Sequence, residues 1–462
     1  MSVIHFGTDG WRGLLAADFT FQNVRAVARA IARYLKREAP GQACLIGYDN
    51  RFLAEEMAAI AWEVLHEEGI TAQVTDQPTP TPVLAHAVQR QKAGGAIMFT
   101  ASHNPPRYQG MKFIPWYAGP ATPAITQELQ EVANKVAPQE RIDGRVPAAI
   151  PIFDPAPDYW AHLGGLVNLE RLKASGLTLA YDAMYGVGAP YMAALSPAIF
   201  LHGERDPLFG GITPEPTGEG LQPLIQAMQE SGADLGLAND GDADRFGCVD
   251  PVAGYLSANQ VLTLMLTYLL TKRNLRGKVV RTLATTHLLD RIAAAHNCPV
   301  IETPVGFKYL AQAMLEGGVL LAGEESGGLS IGGHIPEKDG ILANLLLAQM
   351  RLDWGKPLGQ VLEEIYGQYG RPHAKRIDLH LHQGDRARIE AALQAATPVS
   401  FGGQAVQSVD RRDGYKFRLA EEAWLLLRFS GTEPLVRVYG EAPTAEMLEA
   451  ILRDALEEVA QV

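Results

Sequence analysis

One local pattern recurs along this chain: a short apolar run, a loop rich in Gly, Asp or Ser, then apolar residues at helical spacing. The runs are Cys44-Leu-Ile-Gly, Ala96-Ile-Met-Phe, Leu177 to Tyr181, Asp234-Leu-Gly-Leu-Ala, Val279-Val-Arg-Thr-Leu and Val319-Leu-Leu-Ala. Such alternation implies α/β units with largely parallel sheets. At 462 residues the chain is too long for one hydrophobic core, so about three or four domains are expected. No fixed repeat of about 20–50 residues runs through it, which argues against a solenoid. Three α/β blocks of similar size are nevertheless visible and read as diverged structural repeats.

Pro147, Pro151, Pro155 and Pro157 crowd the stretch from Val146 to Asp158, which reads as a linker with a boundary near residue 152. The pattern changes again at Pro251 to Gly254, and near Tyr369 to His373 it gives way to alternating strands such as Ile377-Asp-Leu-His-Leu. The fold expected is three α/β domains with mixed, largely parallel sheets (1–152, 153–254 and 255–370) and a smaller C-terminal α+β domain (371–462). That domain closes with a helix after Pro443, whose Leu448, Ile451, Leu452, Leu456 and Val459 form a core face.

A formal charge of −12 argues against a nucleic-acid surface, so anionic ligands must be met by local clusters. The apolar stretch Leu256 to Leu270 is broken by Ser257, Asn259, Gln260 and Thr263 and falls short of a membrane span; it reads as a buried helix. Met1 to Gly13 carries Asp9 and Arg12 where a secretion signal needs apolar residues. Cys44, Cys248 and Cys298 form no CxxC pair and read as buried thiols of a reducing, cytoplasmic compartment.

Four segments carry chemistry. Thr100-Ala-Ser-His-Asn-Pro follows an apolar run and puts Ser102 where open α/β sheets gather ligands, although from this segment alone an ordinary Ser-Asn-Pro turn fits equally well. Thr100 and Asn104 stand where a hydrolase elbow needs Gly, which disfavours an esterase. Lys112 downstream offers a positive charge or a proton. Asn239-Asp-Gly-Asp-Ala-Asp-Arg gathers Asp240, Asp242 and Asp244 on a tight loop, most readily explained by a divalent cation; a solvated acidic turn is the bland alternative. Arg245 and Pro251 stand where a calcium loop needs Gly and Glu, and Arg245 points instead to an anionic ligand.

Gly323-Glu-Glu-Ser-Gly-Gly offers Glu324 and Ser326 to vicinal hydroxyls, a weak signal alone. Arg428-Phe-Ser-Gly-Thr-Glu-Pro, with Arg437, makes a phosphate nest. Gly186-Val-Gly188 has Tyr191 in place of the third glycine of a dinucleotide fingerprint, so no nucleotide site is assigned. A serine, a metal triad, a polyol binder and a phosphate binder together compose phosphoryl transfer on a phosphosugar.

From Phe6-Gly-Thr-Asp-Gly-Trp-Arg-Gly to Arg428-Phe-Ser-Gly-Thr-Glu-Pro-Leu-Val-Arg-Val-Tyr the sequence resembles the α-D-phosphohexomutase superfamily, the phosphoglucomutase and phosphomannomutase enzymes. The resemblance implies a phosphoserine at Ser102 and Mg²⁺ held by Asp240, Asp242, Asp244 and the Ser102 phosphate. It places Arg12, Lys112 and Arg245 around the transferred group, and Glu324 and Ser326 on the sugar hydroxyls. Arg428, Ser430, Gly431, Thr432 and Arg437 would hold the distal phosphate. The family's Gly-x-Lys turn corresponds to Gly306-Phe-Lys308, and its Lys-Asp-Gly to Lys338-Asp339-Gly340.

The implied cycle passes through a hexose 1,6-bisphosphate, which also serves as activator, in a monomer or dimer. Gly328 stands where many members bifunctional for mannose and glucose end the sugar loop in His, and His334 lies in a stretch that looks like the glucomutase version. Glu325 differs from the Gln typical of phosphoglucosamine mutases. Glucose phosphate is the substrate expected, mannose phosphate stays open, and glucosamine phosphate ranks third. Two other classes compete. An inactive phosphosugar-binding protein need not keep Ser102 or the triad, and a metal-dependent phosphatase would release inorganic phosphate.

Overall fold

The computed structural model describes residues 3–7, 9–141, 149–382, 385–395, 398–429 and 435–461. The first sheet runs in the order Trp11–Leu14, Tyr108–Pro115, Gly95–Phe99, Cys44–Tyr48, Ala72–Thr75, Ile152–Phe153. Its four strands from Gly95–Phe99 onward are parallel, and Tyr108–Pro115 runs against Gly95–Phe99 and against Trp11–Leu14. Cys44–Tyr48 and Gly95–Phe99 are buried at every position because helices cover both faces. Cys44, Ile46, Ile97 and Phe99 pack towards helices Phe21–Glu38, Ala54–Glu67 and Pro123–Val136, while Leu45, Ala96 and Met98 pack towards Thr81–Gln91.

The proline-rich stretch read as a linker is in part structure. Ile152–Phe153 forms the edge strand of the first sheet, with the Pro151 carbonyl accepting from Val74 N–H at 2.9 Å. An edge strand pairs on one side only, so Pro151 loses nothing there, and Pro157 sits in the first turn of helix Ala156–Leu166, where its missing N–H is unneeded.

The second sheet has the order Gly254–Leu256, Phe246–Asp250, Leu235–Asn239, Leu179–Asp182, Ile199–Leu201, and the third Val300–Thr303, Lys278–Thr282, Val319–Gly323, Leu329–Ile331. One continuous core joins them. Helix Gly340–Trp354 lies within it and buries every residue from Gly340 to Met350, as a helix apolar all round must. Helix Ala258–Thr271 fulfils the expectation of a buried helix, and the polar residues that broke its apolar run have work at its start. Ser257 and Gln260 form a capping box, and Asn259 Oδ1 accepts from Thr286 N–H.

The fourth sheet is wholly antiparallel, ordered His373–His380, Leu435–Ala442, Trp424–Phe429, Tyr415–Leu419, Gln404–Asp410, Ser400–Phe401. Leu425, Leu427, Val436 and Val438 face the closing helix Ala445–Gln461; Trp424, Leu426 and Tyr439 face the third unit at Leu283 and Ala284. At that junction Lys416, fully buried, donates to the Leu283 carbonyl (2.7 Å) and to Glu302 Oε1 (2.6 Å) and lies 2.8 Å from His287 Nε2. Burial pulls the Lys416 ammonium down to about 8, while Glu302, which also meets Arg281, Arg412 and Arg418, is held well below the carboxylate range against its own burial. Glu302 keeps its arginines when Lys416 is removed, so Lys416→Ala loses buried hydrogen bonds to a charged group without stranding one, and is expected to cost about 1.5–3 kcal/mol. Thermal unfolding checks this, and an unchanged Tm would contradict it.

Candidate active site

Three loops that the sequence marks for chemistry occupy one topological position in three sheets. Each leaves the C-terminal end of a parallel strand and returns as an antiparallel strand: residues 100–107 after Gly95–Phe99, 240–245 after Leu235–Asn239, and 324–328 after Val319–Gly323. Loops at strand C-termini are where open α/β sheets bind ligands. The loops meet around a cavity of about 590 Å³. Glycine permits the contact: a Cβ at Gly241 would lie 2.7 Å from the Ser102 carbonyl oxygen, and one at Gly340 2.1 Å from the Arg245 carbonyl.

Ser102 sits at φ +50, a left-handed conformation that non-glycine residues seldom adopt and that collects at functional sites. Its N–H donates to Thr100 Oγ1 (2.8 Å), and its Oγ donates to Asp240 Oδ2 (2.6 Å). The buried Arg51 guanidinium holds the loop from beneath, donating to the carbonyls of Ser102 and Asn104 at 2.6 Å and of Pro105 and Tyr108 at 3.1 Å. His103 Nδ1 lies 3.4 Å from Ser102 Oγ; burial first, then the charge of Arg245, Arg12 and Arg51, keeps its imidazole neutral.

Asp240, Asp242 and Asp244 are all buried, and each offers an oxygen within 4.8 Å of the others. Burial, and then the charges of Asp242 and Asp244, push Asp240 well above the carboxylate range, so the triad as it stands is short of positive charge. Asp242 Oδ1 and Asp244 Oδ1 are buried without a hydrogen-bond partner. Three convergent carboxylates with two orphaned oxygens fit a hard divalent cation.

The opposite oxygens face lysines. Lys112 Nζ reaches Asp242 and Asp244 at 2.9 Å and Asp9 at 3.0 Å; Lys338 Nζ reaches Asp9 at 3.1 Å and Asp244 and Glu337 at 3.3 Å. Burial alone would depress both lysines, but the carboxylates outweigh it and hold each as an ammonium. Arg12 donates to Asn104 Oδ1 at 2.5 Å and Arg245 to Glu215 at 3.3 Å, both at the cavity wall.

Glu324, Ser326, Gly306, Lys308, Lys338, Arg428 and Arg437 all line the same cavity. Burial pushes Glu324 up to about 7, opposed by Lys338 and assisted by Glu325. A Cβ at Gly328 would meet Lys338 Cδ at 2.6 Å, so the stem of Lys338 occupies the space a side chain at 328 would need. Ser430, Gly431 and Thr432 lie outside the described residues. All the other residues singled out from sequence come together, although Lys112, Asp240 and Asp242 lie beneath the wall.

Sequence reasoning passed over several residues here. Asp9 lies in the same Phe6-to-Gly13 motif as Arg12, where a lone aspartate carries no chemical signal of its own. Arg51 follows the apolar run at Cys44, the loop position that marked Ser102. Asp413 had no signal at all: its Oδ2 accepts from Arg428 Nε (2.8 Å) and from Val305 N–H (2.9 Å), tying the fourth unit's arginine to the turn that carries Gly306 and Lys308.

Four family models match in order: phosphoglucomutase/phosphomannomutase α/β/α domain I over residues 3–140, domain II over 157–254, domain III over 257–369, and the C-terminal domain over 385–458. A phosphoglucomutase of Komagataeibacter xylinus is 27% identical across 98% of this chain and 90% of that protein. A phosphoglucosamine mutase of Carboxydothermus hydrogenoformans is 28% identical across 98% of both. Among solved structures, a Thermus thermophilus protein provisionally described as a phosphomannomutase superposes with a TM-score of 0.86 at 32% identity, covering 99% of each chain.

Gly241→Ala tests the contact between the serine and acid loops. A displacement of about 1 Å at reacting groups costs on the order of a hundredfold in rate, so turnover of hexose phosphates is expected to fall by about that factor. Wild-type turnover in this variant would contradict the close packing.

Proposed function

The chain belongs to the phosphoglucomutase/phosphomannomutase family of the α-D-phosphohexomutase superfamily, and from that premise we propose that it interconverts glucose 1-phosphate and glucose 6-phosphate. The route is a phosphorylated Ser102 and a glucose 1,6-bisphosphate intermediate, the bisphosphate also serving as activator. The observation that carries this reading is the strained Ser102, its Oγ 2.6 Å from a buried acid triad, lining the same cavity as Arg428 and Arg437.

Asp240, Asp242 and Asp244, with the Ser102 phosphate, would hold Mg²⁺, which supplies positive charge next to the group being transferred. The residues of the chain do the rest. Arg428 and Arg437 bind the phosphate that is not reacting, and Glu324 and Ser326 take sugar hydroxyls, so the free hydroxyl faces phospho-Ser102. As the new O–P bond forms, the Ser102 Oγ–P bond breaks. Charge on the phosphoryl oxygens is met by Arg12, Arg245, Lys112 and Lys338. The lysines are held as ammonium groups and cannot take the hydroxyl's proton, which passes in net terms to the Ser102 Oγ released as its bond to phosphorus breaks. The bisphosphate then turns over and returns its other phosphate to Ser102.

Glucose is preferred over its relatives because the loop reads Glu324-Glu325-Ser326-Gly327-Gly328, with Lys338 filling the space beside Gly328. Mannose phosphate is the second reading, favoured by the name given to the Thermus thermophilus protein. Initial rates on glucose, mannose and glucosamine 1-phosphates decide between them: kcat/KM is expected to be highest for glucose, Ser102→Ala inactive on all three, and a higher value for another sugar refutes the preference.

Arg428 tests the phosphate clamp. Losing one charge-assisted contact removes about 1.5–3 kcal/mol, so Arg428→Ala is expected to lower kcat/KM roughly ten- to a hundredfold and to release more glucose 1,6-bisphosphate during steady turnover. If KM, kcat and bisphosphate release are all unchanged, the fourth unit does not hold the phosphate.

A further inference from the structure

Away from the reacting atoms, three histidines from three units meet where the units join, His86 buried and His162 half-buried: His86 on helix Thr81–Gln91, His162 on helix Ala156–Leu166, and His334 after strand Leu329–Ile331. Their rings lie 4.8 Å (His86 to His162) and 5.1 Å (His162 to His334) apart, the second pair stacked at 20°. His162 Nε2 is 2.9 Å from His334 Nδ1, and His334 Nε2 is 2.8 Å from Asp339 Oδ2. The side chains of His334 and Asp339 are wholly enclosed.

The chain of contacts has one direction. The Asp339 carboxylate only accepts, so His334 Nε2 carries its proton and donates. With the proton on Nε2 alone, His334 Nδ1 is an acceptor and His162 Nε2 the donor to it. Burial holds His162 and His86 towards the neutral form.

Asp339 is the far end of this line and the near end of another. Its Oδ2 also accepts from Tyr159 O–H (2.7 Å), and Tyr159 stands one helical turn before His162. Its Oδ1 accepts from Leu342 N–H (2.8 Å), capping helix Gly340–Trp354. Gly340 N–H, next along, donates to the Ala243 carbonyl in the acid loop (3.1 Å). The residue before Asp339 is Lys338, whose ammonium bridges Asp9 and Asp244.

We propose that His334 is a positioning residue for phosphoryl transfer, fixing Asp339 and thereby the turn from which Lys338 reaches the active site, with His162 holding His334 in the required tautomer. The proposal rests on the mutase reading. It makes Lys338 depend on how the second unit docks on the third, a contact remote from substrate. Without the His334 donor, Asp339 Oδ2 keeps only the Tyr159 hydroxyl, and the turn that carries Lys338 loses one of the bonds that fix it.

Two isosteric substitutions separate the contacts. His334→Gln places an amide N–H where Nε2 stood and keeps the donor to Asp339. His334→Asn places an oxygen where Nδ1 stood and keeps only the acceptor for His162. With glucose 1-phosphate as substrate, His334→Asn is expected to lower kcat by roughly tenfold or more with KM within about twofold, and His334→Gln to restore kcat to within about threefold of wild type. Equal loss in both variants, or wild-type kcat in folded His334→Asn, would overturn the role.

Nitrogen-15 NMR of the histidine rings in the full-length wild type needs no variant. It is expected to report His334 protonated at Nε2 and bare at Nδ1, with His162 donating from Nε2, and a proton on His334 Nδ1 would overturn the proposal even if His334→Asn does not fold. A wild type that turns over no hexose phosphate would sink the mutase reading and with it the kinetic role of His334, whereas failure of the inference alone leaves wild-type turnover intact.

Discussion

Three buried carboxylates within 4.8 Å of one another are the constraint on which the rest of this molecule depends. Left alone they would not ionise together, as the upward displacement of Asp240 indicates. The chain compensates with two buried ammonium groups. Lys112 comes from the first sheet and Lys338 from the turn after the third, and the second unit supplies the acids. The charge balance of the site is therefore also the bond between three units. Removing either lysine would disturb their assembly as well as the chemistry.

That arrangement is reached by repeating one topological device. A parallel strand ends, a loop presents polar groups, and an antiparallel strand carries the chain back. In the first unit the loop bears Ser102, in the second the acids, in the third Glu324 and Ser326. Close approach of the loops needs backbone without side chains at Gly241 and Gly340, and Arg51 anchors the serine loop through three of its carbonyls and that of Tyr108, which opens the next strand. The fourth unit is differently built, antiparallel and docked through Lys416 and Glu302, as suits a part that holds substrate without reacting.

The sequence made the α/β pattern legible because strands covered on both faces read as unbroken apolar runs, as at Cys44 and Ala96. Residues in Ser102's loop and the acid loop were legible because their types repel or react and stand just after such runs. Arg51 was not, since one arginine in a loop looks the same whether it meets water or four buried carbonyls. Asp413, His86 and His162 were invisible, and His334 legible only as part of a motif, for another reason: their meaning lies in partners more than a hundred residues away or in another unit. The edge strand at Ile152 was not legible within the proline-rich stretch, because such a strand needs only one hydrogen-bonding side, a property of the sheet and not of the segment.

The central claim is that Ser102 lends and recovers a phosphoryl group. Loading the enzyme with glucose 1,6-bisphosphate labelled in its phosphates, locating the label by peptide mapping, and then adding unlabelled glucose 1-phosphate in a single turnover tests it most directly. The account predicts label on the peptide containing Ser102, discharged into hexose phosphate with no inorganic phosphate formed. Label on another residue, or its release as inorganic phosphate, would contradict it.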